Sequence, residues 1–259
     1  MIALGALLLL AAQAPEPPVP SETQQVATLA FAPPLDRPLT YRVATRRLSP
    51  DGGFTSFALV YDLRWQRIGR GYQLLARIDR VESDAHPEVV RTLRLMIDPL
   101  IGETLTYFVP ADGSSVDMVD PDGQWRRVVD RAQALAESSH RPEAKQAAQI
   151  IAALPPAERD KLASSDIRAL VVPANGAIPN GADGPIMTVT VAGRRTISAS
   201  EPPAAGAAQP IEVDTRWTID LATGLLAEER RQSFLTTGNA ADRKLVEERI
   251  RALELGDPS

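Results

Sequence analysis

The chain of 259 residues contains no cysteine. That excludes disulfides, thiolate chemistry, iron–sulfur clusters and lipid attachment through an N-terminal cysteine. Histidine is almost as scarce: His86 and His140 are the only two. Zinc prefers Cys or clustered His, so no zinc site is expected. Nucleophilic catalysis needs a base held beside a nucleophile, and the candidates are few. Ser139 and His140 are neighbours in sequence, but adjacent side chains point apart on a helix or a strand. His86 precedes Pro87 and reads as a solvated turn residue. Neither a G-x-S-x-G elbow nor an S-x-x-K motif occurs.

Acidic residues are plentiful, 33 in all, so a pair suited to glycoside hydrolysis always exists somewhere and carries no specificity. Asp117, Asp120 and Asp122 precede Gly123 without the D-x-D-x-D-G register or distal Glu of a calcium loop. Asp120-Pro121-Asp122-Gly123 reads instead as a hairpin turn. Gly69-Arg70-Gly71 follows a strand with no helical pattern after it, so it is a turn and not a phosphate loop. No catalytic residue, metal or cofactor is expected. The net charge is −5, with basic and acidic residues interleaved as in Glu228-Glu229-Arg230-Arg231. A nucleic-acid binder concentrates positive charge on one face, so nucleic acid is not an expected partner.

What is present begins with an uncharged apolar block. Residues 1–14 have the length of a signal-peptide core and are too short to span a bilayer, and Ala12-Gln13-Ala14 supplies a small-x-small cleavage pattern. No Lys or Arg precedes the block, and Pro15 would occupy the first mature position. Export to the periplasm or beyond is therefore expected, with an uncleaved anchor as the alternative to release. Membrane contact is expected through this segment alone. Seven prolines between Pro15 and Pro38 forbid helix or central strand there. Residues 15–38 read as an extended linker, and 39–259 as a single β-rich domain.

Within that domain the dominant period is two. Phe57, Tyr61 and Trp65 alternate with polar or smaller residues in the clearest strand, Thr55 to Trp65. Tyr41 and Val43 start a strand before it, and Tyr72, Leu74, Ala76 and Ile78 form one after it. Val89, Leu93, Leu95 and Ile97 are expected to continue the pattern, followed by runs over 103–109 and 114–119. This predicts a meander of about six strands with short turns. Over 125–172 the period becomes three to four, which predicts a helical insertion of three or four short helices. Ser165 is expected to cap the last of them. Strands resume at Met187, at Ile211 to Leu221, and from Leu225 to Leu235. Residues 242–255 carry helical propensity, but a strand there would cover an otherwise open edge, and the strand is preferred.

The predicted class is α+β, mainly β: a curved antiparallel sheet or open barrel with a helical insertion. In layout the chain resembles exported proteobacterial β-rich proteins and the periplasmic lipid and ligand carriers of Gram-negative bacteria. No single residue carries that resemblance. Six of the twelve aromatic residues fall within the first three strands. Tyr41, Phe57, Tyr61, Trp65 and Tyr72 are the candidate ligand-binding residues, as the wall of an apolar pocket with polar handles. The bland alternative is that they form the core of the sheet. The expected function is non-enzymatic binding of a lipid or apolar small molecule. A cell-envelope interaction module, pairing its sheet edge with a partner protein, is the second reading, and a hydrolase the third.

Overall fold

The computed structural model describes residues 30–171, 187–204, 209–236 and 243–255. The apolar block, most of the Pro-rich stretch, the loop over 174–185 and the turn at 237–239 lie outside the described residues.

Among the described residues, ten strands form one antiparallel sheet that does not close, with four helices beside it. The first half is β1 (Pro38–Leu48), β2 (Phe54–Ile68), β3 (Gly71–Ser83), helix α1 (Pro87–Ile97), β4 (Thr104–Pro110) and β5 (Asp117–Met118). Three helices follow: α2 (Pro121–Ser139), α3 (Pro142–Ala153) and α4 (Pro156–Val171). The second half is β6 (Met187–Val191), β7 (Arg194–Glu201), β8 (Ile211–Asp220), β9 (Leu226–Thr236) and β10 (Arg243–Leu255). The spatial order is β5-β4-β3-β2-β1-β10-β9-β8-β7-β6. Each half is thus a simple meander, and β10 joins them by pairing with both β9 and β1. The preference for a strand over 242–255 is met from Arg243 onward: β10 is central to the sheet, and pairing outweighs its local helical propensity.

Three expectations need correction. The strand over Val89–Ile97 is α1. The apolar alternation fails at Arg91, whereas Val90, Leu93 and Ile97 recur at helical spacing. Pro87 occupies the first turn, and the His86 side chain accepts from the Glu88 amide at 3.4 Å, so the chain starts a helix there. The first meander accordingly has five strands. Second, Asp120-Pro121-Asp122-Gly123 is the start of α2 and not a hairpin turn: Asp120 adopts φ 48° and its carboxylate accepts from the Gly123 amide at 3.1 Å. Third, Ser165 lies inside α4, which begins at Pro156.

The three helices α2–α4 pack on one face of the sheet, the inner face. One continuous apolar cluster joins Trp125, Val128, Ile151, Ile167 and Leu170 to Leu39, Leu63, Trp65 and Leu74. Packing begins before β1. Phe31 is buried, the Ala32 amide donates to the Thr223 carbonyl at 2.9 Å, and Leu35 bridges to Trp65. Gly224 makes this possible: it has φ +70°, and a Cβ there would lie 2.5 Å from the Ala30 carbonyl oxygen.

Candidate functional site

The aromatic residues singled out in the sequence do share the inner face, and helices cover most of them. Tyr41, Tyr61, Trp65 and Tyr72 are buried, while Phe57 is half-buried. Phe31, Trp65 and Tyr72 meet edge to face, with centroids 5.4 to 6.3 Å apart. Such pairs each add about 0.5–1.5 kcal/mol to the area they bury.

The tyrosine hydroxyls serve α4. Tyr41 donates to the Asp166 carbonyl at 3.1 Å, Tyr61 to Asp166 Oδ2 at 3.3 Å, and Tyr107 to the Ala163 carbonyl at 2.7 Å. Of the polar handles expected for a ligand, those of Tyr41 and Tyr61 are taken up by Asp166 and that of Tyr72 by the Phe31 carbonyl at 3.5 Å, while Trp65 Nε1 is buried without a partner among the described residues. Burial pushes all three phenols above their ordinary pKa; Asp166 adds to the rise at Tyr61, and at Tyr41 Arg251 partly opposes it.

Asp166 is also the meeting point of two arginines from β10. Arg251 reaches Asp166 Oδ1 with Nε at 3.2 Å and Nη2 at 3.0 Å, and Arg249 Nη2 lies 2.6 Å from the same oxygen. Arg251 Nη1 turns the other way, to both oxygens of Glu229 on β9 at 2.8 Å. Two carboxylates and two guanidiniums therefore form a cluster without formal charge. Burial disfavours the Arg251 cation, but Glu229, Tyr41 and Asp166 outweigh it and hold its pKa above the ordinary value. Single-residue motifs could not reveal this cluster, because its members lie on three elements. The alternation of Arg249 and Arg251 along β10, facing Glu229, was its only trace in the sequence.

A cleft lies elsewhere, on the helical side. It is a groove of about 670 Å³ between α1 and α3. Leu95, Met96, Ala147 and Ile150 supply its apolar surface, with Glu88, Arg91, Arg141 and Glu143 among its polar lining. Residues 88, 91, 92 and 95 share one face of α1 at helical spacing. Arg91 is held by both oxygens of Glu88, at 2.9 and 3.0 Å, whereas Arg141 makes no ion pair among the described residues. A smaller, more enclosed cleft of about 120 Å³ shares Leu95 and continues to Leu135, Ala136 and Ala148. None of the five aromatic residues nominated from the sequence lines either cleft.

Both histidines mark helix ends. His86 caps α1, and His140 terminates α2 in the left-handed region with φ 55°. Among the described residues no helix is long and apolar enough to cross a membrane.

No family model matches the sequence, and no curated protein matches it. Among solved structures, lipovitellin, from a study of its lipid–protein interactions, aligns at TM-score 0.38 with 7% identity, covering 85% of this chain and 25% of its own. The chain thus spans a quarter of lipovitellin's length. Rv2717c from M. tuberculosis aligns at TM-score 0.25 with 8% identity, covering 88% of this chain and 94% of its own.

Proposed function

We propose that the protein is an exported, non-enzymatic binding protein that holds an amphipathic ligand in the groove between α1 and α3. The observation that carries this reading is the make-up of that groove: an apolar surface of Leu95, Met96, Ala147 and Ile150 beside charged groups at Arg91 and Arg141. Its volume of about 670 Å³ falls in the range of small-molecule sites, roughly 300–1,000 Å³. Helix α1 is amphipathic, yet none of its residues is fully buried, which leaves its apolar side chains available. The uncharged block at residues 1–14 supports a periplasmic or secreted location, either released or held at the membrane by that block.

The test is native mass spectrometry on protein recovered from the periplasm of an expressing Gram-negative host, together with displacement of an apolar fluorescent probe. Wild type should carry extractable lipid, and Met96→Asp or Ile150→Asp should lower probe affinity at least tenfold. A clean apo mass, with probe binding indifferent to both substitutions, refutes the groove.

A second reading rests on β6. This edge strand exposes Met187, Val189 and Val191 to 66%, 52% and 67% and contains no charge. Edge strands without charge, proline or cover are templates for strand addition, which fits an envelope partner protein. Cross-linking in cells would yield a stoichiometric partner, lost on Val189→Lys, if this edge is the functional surface.

A further inference from the structure

The helices leave part of the inner sheet face uncovered, and that part is cationic. Cross-strand register places Phe57, Thr45, Arg249 and Arg231 in one row across β2, β1, β10 and β9. Residues directly opposite share a face, so all four look inward. The next row toward the helices holds Leu59, Val43, Arg251 and Glu229. Phe57, Leu59 and Thr45 are half-buried, and Arg231 is exposed.

On the inner face of β1, β9 and β10 the register sets five cationic side chains, Arg47, Arg231, Lys244, Arg249 and Arg251. They face three anionic ones: Glu229, Glu247 and, from α4, Asp166. Each anion has a partner already. Glu229 is held by Arg251, Glu247 by Arg47 at 2.6 Å, and Asp166 by Arg249 and Arg251. Arg231 makes neither an ion pair nor a side-chain hydrogen bond among the described residues, and it stands directly opposite Arg249. Asp166 offsets the charge of Arg249, but no described anion offsets that of Arg231. Like charges opposed across strands are destabilising, so an anion placed beside Arg231 and Arg249 would be stabilised there. Guanidiniums suit carboxylate and phosphate through paired donors.

We propose that this strip is a binding site for an anionic amphiphile, with its carboxylate or phosphate head at Arg231 and Arg249 and its alkyl chain running toward Phe57 and Leu59. Arg231 and Phe57 are three strand spacings apart, about 14 Å, a distance that an alkyl chain spans. The site is separate from the α1–α3 groove and does not depend on it.

The test is titration calorimetry on the full chain with dodecyl phosphate, laurate, inorganic phosphate and neutral dodecyl maltoside, each below its micellar concentration. Wild type should bind dodecyl phosphate or laurate at least tenfold more tightly than the maltoside or inorganic phosphate. Whichever of the two anionic heads binds better identifies the source of the charge. Arg231→Glu should weaken that binding at least tenfold and Phe57→Ser should weaken it as well, while Met96→Asp leaves it within twofold. Arg126→Glu, an equal change of charge on the exposed face of α2, should have no effect. The proposal is overturned if the maltoside binds equally well, if inorganic phosphate matches the amphiphile, or if Arg126→Glu weakens binding as much as Arg231→Glu. Loss on Met96→Asp with no effect of Arg231→Glu would return the amphiphile to the groove and refute this site alone.

Discussion

Arg251 meets Asp166 with two of its nitrogens, at 3.2 and 3.0 Å, across the boundary between the sheet and the helical layer. Both side chains are only 11% exposed, so their hydrogen-bonded partners stand in for water. Breaking a buried pair by removing one partner typically costs about 3–5 kcal/mol, far more than an exposed pair contributes. Arg251→Ala should therefore lower urea-denaturation stability by that order, since it strands Glu229 and leaves Asp166 with Arg249 alone. The exposed pair Arg91–Glu88 is the internal comparison: Arg91→Ala should change stability by less than about 1 kcal/mol. The double variant Asp166→Asn with Arg251→Gln should show a coupling of about 0.5–3 kcal/mol relative to the two single variants. Strict additivity would mean that the pair does not act as a unit.

Alkaline pH should attack the same seam. Tyr41, Tyr61 and Tyr107 have phenol pKa values raised in the folded chain, chiefly by burial. A raised folded pKa keeps its stabilisation intact below the unfolded value of about 10 and loses it as pH climbs from there toward the folded value. With three such groups protonated in the folded state and ionised in the unfolded one, stability should fall by about 4 kcal/mol per pH unit above that point. Tyrosinate absorbance from these residues should rise together with the loss of far-ultraviolet ellipticity. Full ionisation of the tyrosines on a chain that keeps its circular dichroism would contradict the buried assignments.

The third prediction concerns Gly224. Its positive φ and the 2.5 Å approach to the Ala30 carbonyl mean that Gly224→Ala meets both backbone strain and a clash. It should displace the segment that carries Phe31 from Trp65 and Tyr72. The expected cost is about 1–3 kcal/mol, with increased acrylamide quenching of tryptophan fluorescence. Phe31→Ala should reproduce the quenching while leaving the backbone of 220–225 unperturbed.

Much of the sheet was legible because its inner and outer rows alternate cleanly. Phe57 to Trp65 and Ile211 to Ile219 read directly as strands, and so did the helical change of period from Val128 onward. Helix α1 resembles a strand only if a two-residue period is carried across Arg91; Pro87 and the 90–93–97 spacing favour the helix. The role of the tyrosines was only half visible. Alternation put Tyr41 and Tyr61 on one face, but what their hydroxyls meet depends on where Asp166 arrives from more than a hundred residues away. The row of Arg231, Arg249 and Phe57 was equally hidden, since it depends on the register of three strand pairs.

The pairing of β10 between β1 and β9 has a consequence for the order in which the molecule can be made. Leu39 aligns with Leu255 and Arg47 with Glu247, contacts that close loops of about two hundred residues. As the chain emerges from the ribosome, β1–β5 and β6–β9 can each zip up from neighbouring hairpins, yet β1 and β9 both keep a bare edge until β10 arrives. Such distant closure is slow, and bare edges invite wrong partners while it is awaited. The sheet is completed by its final element, so a holding factor or rapid docking of the helical layer matters most in that interval.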